Sequence, residues 1–85
     1  EDVLSVGAAK YARVTGKSVP EALSIIGYNN SSFCLCCEPE LTSVDNKLET
    51  LCNQCVTTML TVLKGEEAPQ KTIFSAELVR RGSTL

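Results

Sequence analysis

Hydrophobic positions recur at helical spacing along two stretches of the chain. From about Asp2 to Thr15, Val3, Val6, Tyr11 and Val14 stand among alanines while Lys10 and Arg13 take the other side, which predicts a short amphipathic helix ended by Gly16. Farther on, Leu48, Leu51, Cys52, Cys55, Val56, Met59, Leu60 and Leu63 keep a rhythm of three and four, so a helix covers Val56 to Lys64 and stops at Gly65. Its start is open: it begins at a cap on Ser43 or Asp45 and takes in both cysteines, or begins at Asn53 after a strand over Lys47 to Leu51. Between the two stretches, Ser18-Val19-Pro20-Glu21 reads as a capping box with proline in the first turn. That predicts a second helix through Ala22, Leu23, Ile25 and Ile26, closed by Gly27. Asn29 to Ser32 is a polar loop, and Glu66 to Pro69 is a linker. Thr72 to Phe74 is expected to be extended, with a last short helix from Ser75 to Arg81.

Composition narrows the class. The chain has 85 residues, 44% of them apolar, with a net charge of −2, the balance of a folded chain and not of a disordered one. No run approaches the roughly 20 apolar residues of a membrane span. The first residue is Glu1, so the chain is expected to be a processed product or a part of something longer. Histidine is absent, which removes the usual general base and the usual activator of a serine or cysteine nucleophile. Glu38 and Glu40 flank Pro39 and read as solvated loop, not as a catalytic pair, and the five glycines stand singly with no phosphate-binding motif. Non-enzymatic function is the expectation.

Cysteine spacing carries the strongest chemical signal. Cys34, Cys36 and Cys37 form CLCC and Cys52 and Cys55 form CNQC, two CxxC units separated by 14 residues. Four thiolates in two such turns suit a tetrahedral zinc ion, with Cys34, Cys37, Cys52 and Cys55 as ligands and Cys36 as the spare. Two alternatives stand beside zinc: a disulfide framework, against which the odd count argues, and buried core thiols at Cys52 and Cys55 if the helix begins early. An iron–sulfur cluster on the same ligands ranks below zinc.

The run FCLCCE, a polar spacer and LCNQC opening into an amphipathic helix resemble a treble-clef zinc finger, and LCNQC is similar to the knuckle of GATA-type fingers. The resemblance covers about Phe33 to Lys64 and implies a structural zinc ion. It implies a mainly α fold with a small zinc-stapled β-hairpin or knuckle (α+β, treble-clef-like). The alternative is an all-α domain with the cysteines on the long helix. The organisation expected is one domain over 1–85, made of a helical hairpin over 1–28, a four-cysteine zinc module over 33–64, and a linker with an extended and helical tail over 65–85.

Charge then decides between partners. From Cys34 to Cys55, four carboxylates face one lysine, a balance of −3, and the second expected helix offers no cation. Phosphate contacts need Lys and Arg, so the leading expectation is a small intracellular regulatory or adaptor protein that binds a protein partner and no membrane. Phe74 is the candidate anchor, with core closure as the bland reading of the same residue. The alternative is a transcription-associated zinc-finger protein binding nucleic acid through the hairpin, where Ala12 and Gly16 stand at helix-turn-helix spacing, or through Arg80-Arg81. A thiol redox protein ranks third. In the tail, Arg80-Arg81-Gly82-Ser83 resembles a basophilic kinase site and Ser83-Thr84-Leu85 a C-terminal PDZ ligand.

Overall fold

A computed structural model describes residues 1–85. Helix α1 spans Asp2–Val14, strand β1 Ile26–Tyr28, a single 3-10 turn Ser32–Leu35, strand β2 Thr42–Asp45, helix α2 Leu48–Leu63 and strand β3 Glu77–Val79. The strands form one sheet in the order β1-β2-β3, with β1 parallel to β2 and β3 antiparallel to it. Gly27 pairs with Ser43, which pairs in turn with Val79.

The first helix falls where the periodicity puts it. The second does not form: Ser18 accepts from the amides of Ala22 and Leu23 in one turn, and the chain then extends into β1. Ile25, Ile26 and Tyr28 are β-branched or aromatic and fit a pleated strand better than a one-turn helix. Gly27 is there for close approach, since a Cβ at that position would run into the Asp2 carboxylate and sit 3.3 Å from Ser43 Oγ. The last predicted helix is likewise replaced by β3, where Leu78 lies opposite Val44. Helix α2 starts at Leu48 and includes both Cys52 and Cys55, and Gly65, at φ 77°, follows its end. The mainly α, zinc-stapled fold is thus corrected to a mixed α/β sheet.

One face of the sheet is covered and the other is open. Ile25, Cys34 and Leu41 form the buried core, with Val6, Ala9 and Leu23 packed on it. Asp2 lies at the start of α1 yet is buried, and its carboxylate accepts from the Ser31 N–H at 2.6 Å and from the Ser43 hydroxyl at 2.7 Å. Ser43 Oγ accepts in turn from the Asn30 N–H at 3.0 Å. The tail closes the opposite end: Ser83 is fully buried, donates to the Ile25 carbonyl at 2.6 Å and accepts from the Thr42 N–H at 2.8 Å. A kinase substrate hydroxyl is therefore not what Ser83 offers. Helix α2 has no buried residue, and the molecule is long and thin at 59 × 18 × 16 Å.

Burial alone would push the Asp2 carboxyl up, but the bonds from Ser31 and Ser43 outweigh it and hold the group at about 2, below the ordinary 3.8. A depressed carboxyl stabilises the fold above its unfolded value and loses that stabilisation as pH falls through its folded one. Stability should be flat above roughly pH 4 and drop by about 2 kcal/mol toward pH 2. Asp2→Asn should lose a similar amount at neutral pH and flatten the acid limb, as urea titrations at a series of pH values would read.

Candidate functional site

Parallel β1 and β2 end on the same edge of the sheet, and the residues that follow each strand meet there. After β1 come Asn29, Asn30 and Ser31, and after β2 come Asn46 and Lys47. Asn29 at φ 104°, Asn30 at φ 51° and Lys47 at φ 55° lie in the left-handed region, where asparagine is the best tolerated residue after glycine. The turn chemistry of the sequence therefore forms a rigid polar rim. Asn46 Nδ2 donates to Asn29 Oδ1 at 2.9 Å, Asn30 Nδ2 to Asp45 Oδ2 at 3.3 Å, and the Lys47 N–H to Asp45 Oδ1 at 2.8 Å.

Arg81 braces the rim from behind. Its Nη1 donates to the Leu41 carbonyl at 2.7 Å and its Nη2 to Asn30 Oδ1 at 2.6 Å. The arginine pair that suggested phosphate contacts thus contributes one member to the framework. Within the rim lies a pocket of about 450 Å³ lined by Asn29, Asn30, Ser31, Asp45 and Lys47, with Leu48 as its one apolar wall. Two buried polar atoms beside it, Ser31 Oγ and Asn46 Oδ1, have no hydrogen-bond partner. Buried polar atoms without partners are costly and rare, so the rim carries unspent capacity to bind a polar ligand. In open sheets of this kind, ligands bind outside the carboxyl ends of parallel strands. None of these residues belongs to the expected site, and the Asn-Asn-Ser-Ser cluster is the one sequence signal for them.

The cysteines are dispersed. Cys34 is buried in the core, Cys37 is half-buried, and Cys36, Cys52 and Cys55 are exposed, all five as free thiols. No three Cys, Asp or Glu side chains gather where one metal ion could be held. With α2 starting at Leu48, Cys52 and Cys55 stand on the body of a helix away from the sheet, while Cys34 turns into the core. The structural zinc ion is corrected accordingly.

Comparison with known proteins decides the family. The family model described as periplasmic binding protein-like domain matches residues 1–84. The chain belongs to the periplasmic binding protein-like domain family. Among its relatives, an HTH-type transcriptional regulator of Lachnoclostridium phytofermentans is 46% identical over 99% of this chain and 25% of its own length. The transcription regulator CcpA of Lactococcus lactis superposes on the whole chain with a TM-score of 0.95 at 28% identity, over 32% of its own chain. The transcriptional regulator CelR in complex with cellobiose matches 98% of this chain and 26% of its own, with a TM-score of 0.92 at 26% identity. The chain therefore spans about a quarter of the length of its curated relative.

Membership of the periplasmic binding protein-like family overturns the resemblance to treble-clef and GATA-type fingers. It also overturns the preference for a protein partner over nucleic acid, because the relatives are helix-turn-helix regulators of transcription. A balance of −3 over one segment says nothing about the three quarters of a relative that lies outside the match. Such relatives are regulators and not enzymes, and they work inside the cell, where the DNA is.

Arg81→Ala should remove both braces and lower stability by about 2 kcal/mol, since hydrogen bonds to a charged group are worth roughly 1.5–3 kcal/mol. Arg81→Lys should recover less than half, because one ammonium cannot span a carbonyl and an amide set for a planar fork. Urea midpoints of the three proteins check this.

Proposed function

We propose that these residues form one wall of the small-molecule effector pocket of a LacI-type transcription regulator, and that the effector is a sugar or another polyol. The observation that carries the reading is the polar pocket at the carboxyl ends of β1 and β2, with Ser31 Oγ and Asn46 Oδ1 buried and unpartnered beside it. Hydroxyl groups both donate and accept, so a polyol suits a rim that offers amide, hydroxyl and carboxylate atoms together. The cellobiose held by the CelR relative supports the ligand class.

The role is binding and not catalysis. Asp45, the carboxylate at the rim, already accepts from Asn30 and from the Lys47 N–H, and no histidine is available to activate a nucleophile. Operator recognition belongs to another part of the regulator in this reading. Here α1 and α2 are separated by the first two strands, which is not the arrangement of a helix-turn-helix.

A panel of mono- and disaccharides titrated by calorimetry into the regulator carrying this chain tests the proposal. One class of sugar should bind, and Asn29→Ala should weaken it about 10-fold or more, the scale of one or two lost hydrogen bonds, with a lower thermal midpoint because alanine is strained at φ 104° and the bond from Asn46 is lost. A sugar that binds the Asn29→Ala protein unchanged, or a regulator that binds no polyol at all, rejects it.

A further inference from the structure

The run Cys34-Leu35-Cys36-Cys37 lies on the connection between β1 and β2, away from the polar rim, and nothing in the effector reading uses it. Its three thiols differ sharply in access. Cys34 is fully buried and Cys37 half-buried, and burial pushes both thiols up, whereas Cys36 is exposed with only a long contact of 3.5 Å from its Sγ to the Ser32 carbonyl.

Facing this run is the cationic flank of α1. Cys36 and Cys37 share the lining of a groove of about 250 Å³ with Lys10, Arg13 and Glu38. The groove adjoins a second hollow of about 380 Å³ in which Arg13 and Glu38 are joined by Lys17. The one ion pair of the chain joins Lys47 and Glu77, so Lys10, Arg13 and Lys17 have no carboxylate of their own within salt-bridge distance. Lys10 and Arg13 thus stand unpaired in the same groove as an accessible thiol, with Lys17 in the hollow beside it. Positive charge lining the groove raises the local concentration of an anionic reagent, an effect that weakens as salt is added.

We propose that Cys36 is a modification site for anionic low-molecular-weight disulfides, with Lys10, Arg13 and Lys17 holding the carboxylates of the incoming molecule. The Cys36 thiolate attacks one sulfur of the disulfide, the old S–S bond breaks, and a new bond forms between Cys36 Sγ and that sulfur. The departing thiolate takes up the proton that Cys36 gave up, so one thiol is consumed and one released. The incoming disulfide is the only oxidant required. Cys34 is too deep to be reached, and Cys37 turns partly into the core, which leaves Cys36 as the reacting sulfur.

Cys52 is an internal reference, an exposed thiol on α2 outside either hollow. The regulator carrying this chain is treated in parallel with glutathione disulfide, which is anionic, and cystamine, which is cationic, and adducts are timed peptide by peptide by mass spectrometry. The anion-to-cation rate ratio at Cys36 should exceed that at Cys52 by about 10-fold at low salt, within the range that local charge gives to association rates. The double substitution Lys10→Ala with Arg13→Ala, at two exposed positions, should bring it down to the Cys52 value, with an unchanged far-ultraviolet spectrum confirming the helix. Cys36→Ser should abolish the adduct in its peptide. Equal ratios at Cys36 and Cys52, a ratio indifferent to the double substitution, or an adduct that persists on Cys37 in Cys36→Ser would overturn the assignment. Sugar binding at the rim is a separate readout, so its failure leaves this result standing.

Discussion

The Asp2 carboxylate is the point from which the rest of the arrangement is set. It is a buried charge, expensive unless satisfied, and it is satisfied by groups from two other parts of the chain, the Ser31 amide and the Ser43 hydroxyl. Those bonds fix α1 against the sheet and leave room for no side chain at position 27, which is why glycine stands there. Ser43 passes the constraint on, since the hydroxyl that donates to Asp2 accepts from the Asn30 amide. The left-handed turn through Asn29 and Asn30 is thereby held in place, and that turn forms the rim of the pocket. Asp2 thus sets the geometry of the polar pocket that follows the first strand.

A second constraint acts from the other terminus. Thr42 is buried, and its hydroxyl accepts from the Arg81 N–H at 2.9 Å and lies 2.7 Å from that of Thr84, while Ser83 bridges Thr42 to Ile25. Small hydroxyl side chains, fully buried at Thr42 and Ser83, hold the tail across the strands. With Arg81 reaching Leu41 and Asn30, the two ends of the chain brace the same two strands from opposite sides. The apolar core between them is compact, with Ile25, Cys34 and Leu41 buried at its centre.

How much of this was legible in the sequence depends on how local each signal is. Helix α1, the body of α2, the stop at Gly65 and the loop at Asn29 are written in neighbouring residues, and each appears where the pattern puts it. Strands β1 and β3 have three residues each and exist through pairing with β2, across separations no periodicity displays. At Ser18 the expected capping box does not form: one turn closes through the Ser18 carbonyl alone, with too few residues behind it to propagate, since a helix nucleus is costly and is repaid by length. The cysteines misled for the same reason. Spacing shows which thiols could meet, whereas the early start of α2 decides that Cys52 and Cys55 ride on an outward helix. The rim was hidden in plain polar residues, because left-handed backbone and an orphaned hydroxyl are properties of the folded chain.

The shape of the molecule bears on what that site needs around it. A compact chain of this length would have a radius of gyration of roughly 12 Å, against 17.5 Å here. Its surface of 6204 Å² exceeds the ~4900 Å² that a globule of this mass exposes. That excess, over 1000 Å², is of the order two bodies bury when they associate. Apolar side chains stand exposed on the open face of the sheet, where Ile26, Tyr28 and Leu78 are about half exposed, on α2 at Val56, Met59 and Leu60, and on α1 at Leu4, Tyr11 and Val14. A helix apolar on so much of its surface gains its stability from packing more than from propensity. The polar rim sits between these surfaces, at the junction of β2 and the first turn of α2. Lys47 and Leu48 line the pocket and also begin α2, so the shape of the pocket depends on where that helix starts.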